Sequence, residues 1–97
     1  MLFHSTNPAT GAPVWTGPAA SAADVDAAVA RARAAFPAWS ARPLAARADI
    51  LRAYAARLAA HKNDLADLIS REVGKPLWEA LTEVQSMIGK IDLSLQA

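Results

Sequence analysis

The chain contains no cysteine. Disulfides, thiolate zinc sites and a cysteine nucleophile are therefore excluded within its 97 residues. An excess of charge is also missing, because ten basic and nine acidic residues give a formal net charge of +1. This balance lacks the basic footprint of a protein that binds nucleic acid or an acidic membrane surface. We therefore expect neither nucleic acid nor a membrane as a partner.

Long apolar runs are absent as well, since no stretch approaches the roughly 20 residues of a membrane span. The beginning of the chain has no basic segment followed by an apolar one, so no signal peptide is visible and a cytoplasmic location is expected. The four glycines are scattered, and none forms a glycine-rich phosphate loop. Within these residues we accordingly expect no bound cofactor and no metal site.

Apolar residues make up 54% of the chain, which argues against disorder. Many of them are alanine, whose side chain removes little area from water. Small chains also bury a low fraction of their surface. The sequence therefore predicts a thin core, giving a fold that is marginal alone or completed by other polypeptide.

Residues 1–18 differ from the rest in being rich in proline and glycine. Residues 7–11 (NPATG) predict a reverse turn, because proline presets φ and glycine accepts a positive φ. Leu2-Phe3 and Val14-Trp15-Thr16 flank this turn and are predicted to pair as two short strands. A lone two-stranded ribbon is marginal in water, so this hairpin must lie against something else.

Residues 19–97 predict about four helices. Ser21 and Asp24 resemble a capping box, an apolar stripe through Val25, Val29 and Phe36 follows, and Pro37 is expected to end this helix. A second helix is expected from Pro43 towards His61. Trp15, Trp39 and Trp78 are interpreted as packing anchors rather than as a ligand cage.

Asn63 is the predicted cap of a third helix, and Gly74 its left-handed C-terminal residue. Pro76 is then expected to open a fourth helix. Its apolar residues step by three and four, which is typical of a coiled-coil seam or a helix packed on a larger body: Leu77, Leu81, Val84, Ile88, Ile91 and Leu95. The chain runs out while this stripe continues, so we expect it to be cut from something longer.

Candidates for chemistry are few. Glu79 and Glu83 lie four residues apart and share a helix face, where an acid–base pair is one interpretation and a solvated surface the favoured one. His61 is interpreted as a cation near the last carbonyls of its helix. The residues alone therefore predict no self-sufficient catalytic site.

Three strings carry a more specific resemblance: NPATG at 7–11, AAFPAW at 34–39 and EVGKP at 72–76. In this order they resemble motifs of the aldehyde dehydrogenase superfamily. KPLWEA at 75–80, TEV at 82–84 and MIGKI at 87–91 further resemble its succinylglutamate-semialdehyde dehydrogenase subfamily, although Gly89 stands where an asparagine is expected.

The resemblance implies the N-terminal part of the α/β aldehyde dehydrogenase fold, with residues 19–97 belonging to the cofactor-binding domain. It implies oxidation of N-succinylglutamate 5-semialdehyde to N-succinylglutamate in arginine catabolism, with NAD or NADP as the cofactor of the full-length enzyme. The family's nucleophilic cysteine, its glutamate base and its oxyanion-stabilising asparagine would all follow Ala97. The 97 residues alone are therefore expected to be inactive.

The resemblance also places the helix after the GKP string beside the substrate tunnel, with Glu83 and Met87 facing inward. Ordinary packing is the competing interpretation of Met87. The expected partners are the aldehyde substrate and the rest of the enzyme chain, or a homo-oligomer formed through the stripe from Leu77 to Leu95. The alternative function is a small helical self-association module without catalysis.

Overall fold

The computed structural model describes all 97 residues. Two antiparallel strands are followed by four helices, as the sequence predicts. None of these helices combines the length and the apolar character needed to cross a membrane. In chain order the elements are β1 (Leu2–Thr6), β2 (Pro13–Pro18), α1 (Ala22–Ser40), α2 (Leu44–Ala60), α3 (Lys62–Val73) and α4 (Leu77–Gln96).

The predicted hairpin turn is confirmed. The Gly11 N–H donates to the Asn7 carbonyl over 2.8 Å, and the Asn7 N–H donates to the Ala12 carbonyl over 2.9 Å. Gly11 has a φ of 76°, which is costly for any residue with a Cβ. Pairing runs from Leu2 opposite Pro18 to Thr6 opposite Pro13, with one irregularity at the turn end of β1.

Helix α1 begins at the predicted capping box. The Ser21 hydroxyl accepts from the Asp24 N–H over 3.2 Å, and the Asp24 carboxylate accepts from the Ser21 N–H over 2.8 Å. The Ser21 hydroxyl also donates to the Asp24 carboxylate over 2.7 Å. The hydrogen bonds from the Ser21 N–H and, secondarily, from the Ser21 hydroxyl hold the pKa of Asp24 below its ordinary value, because they stabilise the charged carboxylate.

The prediction that Pro37 ends α1 is wrong, because the helix continues to Ser40. Proline has a helical φ and lacks only its own N–H, so its carbonyl can still accept from a following turn. Here the Ala41 N–H donates to the Pro37 carbonyl over 3.2 Å, and the Ser40 hydroxyl donates to it over 3.1 Å. A proline this close to a helix end removes one bond without stopping the last turn.

The predicted cap at Asn63 is also wrong. Helix α3 begins at Lys62, and His61 is both the C-terminal cap of α2 and the N-terminal cap of α3. The His61 N–H donates to the Arg57 carbonyl over 3.2 Å, while its carbonyl accepts from the Leu65 N–H over 2.9 Å. Because a single residue joins the two helices, Asn63 lies inside α3 and not before its first residue, and its side chain therefore does not cap the helix.

The core lies mainly between α3 and α4. Ala66, Ala80 and Val84 are fully buried, and Leu81 and Ile88 pack against them. Two of these three residues are alanines, whose small side chains let the helix backbones approach closely. Val84 is the largest fully buried side chain. The α4 stripe is therefore largely used for packing inside the chain.

Helix α1 contributes no buried residue. Its apolar stripe is open to solvent, with Val25 53%, Val29 57% and Phe36 61% exposed. All three tryptophans are likewise exposed, so their interpretation as packing anchors is wrong for the contacts within this chain. The radius of gyration is 17.3 Å, against about 12.5 Å for a compact domain of this length. The thin core predicted from the alanine content is confirmed.

Candidate functional site

A groove of about 350 Å³ lies between α2 and α4. Its lining residues recur at intervals of three, four and seven on each helix, which places them on one face of α2 and one face of α4. Leu51, Tyr54 and Leu58 line the α2 side, and Met87, Lys90, Ile91 and Ser94 line the α4 side. The walls are mostly apolar, with one cation and two hydroxyl groups among them.

The polar groups of this groove have no partner inside the chain. The Lys90 ammonium, the Tyr54 hydroxyl and the Ser94 hydroxyl form no hydrogen bond or ion pair with another residue. Arg47 lies one turn before Leu51 on the same face of α2, and its buried Nε also lacks a hydrogen-bond partner. The groove therefore presents unused donors and no acidic lining residue.

A second feature is the joint between α3 and α4, where two of the recognised strings meet. Gly74 ends α3 with a φ of 77°, as predicted, and its N–H donates to the Ser70 carbonyl over 2.9 Å. The Ser70 hydroxyl donates to the Lys75 carbonyl over 2.7 Å. Pro8, from the hairpin turn, packs directly on Gly74. The hairpin is thereby held against the joint.

Lys75 reaches from this joint onto α4, where its ammonium donates to the Glu83 carboxylate. This hydrogen bond raises the pKa of Lys75 above its ordinary value, because it stabilises the protonated amine, and the nearby Glu79 carboxylate adds a weaker attraction. The negative charge of Glu83 is thus paired with the positive charge of Lys75. The favoured interpretation of Glu79 and Glu83 as a solvated surface fits their exposure but omits this ion pair.

The two predicted tunnel residues, Glu83 and Met87, lie one turn apart on α4. Glu83 is turned towards Lys75 with its side chain 47% exposed, and Met87 is 39% exposed and lines the α2–α4 groove. The structure thus assigns them to neighbouring features, and their place in a substrate tunnel stays a prediction.

Sequence reasoning missed Lys75, Lys90 and Tyr54. Lys75 and Glu83 are eight residues apart across a proline-containing joint, a separation that no helix-spacing rule connects. Lys90 could have been found, because it follows Met87 at a spacing that shares a helix face. Tyr54 belongs to a different helix, so only the packing of α2 on α4 brings it to Lys90.

The histidines form no site together. His4 Nδ1 lies 3.1 Å from the Thr16 hydroxyl across the hairpin, whereas His61 Nδ1 lies 3.7 Å from Asp64 at the α2–α3 joint. No three histidine, cysteine, aspartate or glutamate side chains gather where they could hold a metal ion.

Comparison with known proteins gives close relatives. The chain is 60% identical over 92 residues to an N-succinylglutamate 5-semialdehyde dehydrogenase of Chromobacterium violaceum, an alignment covering 95% of this chain. Proteins of the same name from Burkholderia mallei and Burkholderia cenocepacia are 57% and 54% identical over 96 residues, or 99% of this chain.

The chain is much shorter than these relatives. It spans 19% of the Chromobacterium protein and 20% of each Burkholderia protein. The aldehyde dehydrogenase family model nevertheless matches all of residues 1–97. The chain therefore belongs to the aldehyde dehydrogenase family.

Proposed function

We propose that this chain is the N-terminal part of an NAD(P)-dependent dehydrogenase that oxidises N-succinylglutamate 5-semialdehyde to N-succinylglutamate. The observation that carries the proposal is the 54–60% identity, over nearly the whole chain, to proteins bearing that name. A cytoplasmic location is part of the proposal, because the reaction would draw on the cell's NAD(P) pool.

The chemistry would be supplied outside these residues. Oxidation of an aldehyde through a thioester needs a thiolate nucleophile, and this chain has no cysteine. Its four isolated glycines offer no loop of backbone N–H groups for a dinucleotide phosphate. When bound elsewhere in the enzyme, NAD(P)⁺ would accept the hydride. We therefore infer that the 97 residues alone neither bind the cofactor nor turn over substrate.

The contribution of this chain would be structural and substrate-positioning. We propose that α4 borders the path of the aldehyde, with Glu83 and Met87 facing it. Support comes from their placement on consecutive turns and from their partial exposure. The ion pair with Lys75 would keep Glu83 from repelling an anionic aldehyde.

The proposal is tested by purifying two proteins: the full-length product of the gene that encodes this chain, and residues 1–97 alone. Reduction of NAD⁺ and of NADP⁺ is followed with N-succinylglutamate 5-semialdehyde and with butyraldehyde as a simple control. We expect the full-length product to oxidise the succinylated aldehyde with the higher kcat/KM, and the 97 residues to give no turnover. Turnover by the short chain, or a preference for butyraldehyde, would contradict the proposal.

Self-association through the α4 stripe has less structural support as a function. Val84 is buried and Leu81 and Ile88 pack on α3, so most of that stripe is already covered within the chain. Leu77, at the start of α4, remains exposed. Sedimentation of the full-length product and of its Leu77→Glu variant tests whether this end of the stripe holds an oligomer together. Dissociation of an oligomer by this substitution, in a product that oxidises neither aldehyde, would favour the self-association function.

A further inference from the structure

We propose that the α2–α4 groove is a binding site for a small carboxylate carried on a short methylene chain. Leu51, Leu58, Met87 and Ile91 would surround the methylene groups, and Lys90 would hold the carboxylate. Three properties of the groove support such a ligand: its unused donors, its lack of a competing acid, and its size.

The groove offers hydrogen-bond donors suited to a carboxylate. A carboxylate accepts up to four hydrogen bonds, and bonds to a charged donor are shorter and stronger than neutral ones. Lys90 provides an ammonium without an ion-pair partner, and Tyr54 and Ser94 provide hydroxyl groups without intrachain bonds. One cation and two neutral donors beside an apolar wall match the carboxylate end of a ligand whose methylene groups lie against that wall.

The groove carries only positive charge on its walls. No aspartate or glutamate lines it, so a bound carboxylate would meet no like charge on its walls. Arg47 adds a second cation one turn further along the same face of α2, again without a carboxylate partner. A positive field from both cations favours an anion over a neutral ligand of the same shape.

The groove is also large enough for such a ligand. Its volume of about 350 Å³ lies at the lower end of the range for small-molecule sites and leaves room for a group of a few carbon atoms. A succinyl group, with two methylene groups and a terminal carboxylate, has this composition. The link to the succinyl arm of the substrate rests on the proposed function, whereas the groove and its donors do not.

The experiment measures binding of glutarate to the full-length gene product by titration calorimetry, without cofactor or aldehyde. Glutaramide, which has the same carbon chain without charge, is the control ligand. We expect glutarate to bind at least tenfold more tightly than glutaramide. Lys90→Gln should weaken glutarate binding about tenfold, and Ser94→Trp, which fills the groove from its rim, should abolish it.

Lys62→Gln is the matched control variant, because Lys62 bonds to Gln85 outside the groove and its loss should leave glutarate affinity unchanged. Circular dichroism verifies that each variant is folded. The proposal is overturned if glutarate does not bind, or if Lys90→Gln and Ser94→Trp bind it as the parent protein does.

The binding measurement separates this inference from the proposed function. If the full-length product fails to oxidise N-succinylglutamate 5-semialdehyde but binds glutarate through Lys90, the site stands and the proposed function fails. If oxidation occurs while Lys90→Gln leaves glutarate affinity unchanged, the site fails and the proposed function stands.

Discussion

Pro8 lies directly over Gly74, so that a Cβ placed at Gly74 would stand 2.7 Å from the Pro8 Cγ. The two residues are distant in sequence, one in the hairpin turn and the other at the end of α3. Their contact attaches the hairpin to the helices, which a two-stranded ribbon needs because it is marginal in water by itself. Two of the strings recognised in the sequence thus form one structural joint.

Substitution of Gly74 by alanine should loosen this joint. The residue has a φ of 77°, which costs an L-amino acid about 1–2 kcal/mol, and the added methyl would displace the proline ring. We expect faster amide hydrogen exchange in residues 1–18 and 70–77. Gly89→Ala is the control, because that glycine lies inside α4 with open space around it, and there alanine should stabilise the helix by about 1 kcal/mol. Equal exchange in the two variants would contradict the role of the Pro8 contact.

Val84→Ala should weaken the packing of α3 on α4. Val84 is fully buried between two fully buried alanines, so removing two methyl groups leaves a void that small neighbours cannot fill. Truncations of this kind cost on the order of 2 kcal/mol. Urea unfolding followed by circular dichroism measures the loss, with Val73→Ala, at an exposed valine, as the matched control. The packing argument fails if both substitutions cost the same.

Asp24 gives a pH-dependent prediction for α1. Its pKa is lowered from 3.8 by hydrogen bonds from Ser21, so its stabilisation of the helix start is present above pH 3.8 and is lost as the pH falls through the lower, folded-state pKa. NMR titration of the carboxyl group measures this pKa. Ser21→Ala removes the hydroxyl but keeps the backbone N–H, which is the larger cause, so the pKa should rise only part of the way towards 3.8. An unchanged pKa would show that the hydroxyl does not contribute.

Lys75 gives a pH-dependent prediction of the opposite sign, because its contribution to stability is lost as the pH rises. Its pKa is raised above 10.5 chiefly by the hydrogen bond to Glu83, so the stabilisation is present below pH 10.5 and is lost as the pH rises through the folded-state value. NMR of the lysine side-chain signals measures the titration. Glu83→Gln should return the pKa towards 10.5, whereas Glu79→Gln should have the smaller effect because Glu79 contributes only the weaker attraction. A larger effect of Glu79→Gln would contradict the ion pair.

Local features were predictable from the sequence wherever a residue's own conformational limits decided the outcome. Gly11 and Gly74 accept the positive φ that their turns require, and Ser21 caps the helix that follows it. Pro37 and Asn63 show where such rules failed. Proline and asparagine can each occupy more than one position in a helix. The position of Pro37 is decided by the hydrogen bond from the Ala41 N–H to its carbonyl, and that of Asn63 by the hydrogen bonds of His61 to both neighbouring helices.

The candidate site was predictable only in part. The resemblance places Met87 beside a substrate tunnel, which stays a prediction. Met87 lines the α2–α4 groove together with Tyr54 and Lys90, which the sequence did not single out. Spacing along one helix places Lys90 near Met87, yet it gives no information about which face of another helix lies opposite. Likewise, apolar periodicity predicts the α1 stripe without determining whether a neighbour covers it.

By itself the sequence determined the two strands, the four helices and the family, because these follow from local conformational preference and from strings of adjacent residues. Tertiary structure alone decided that Pro8 packs on Gly74, that Lys75 forms an ion pair with Glu83, and that α2 and α4 form an open groove with an unpaired cation. The physical reason is the separation along the chain over which each interaction acts. Backbone preferences act within a few residues, whereas packing and charge pairing act between residues that only the folded chain brings together.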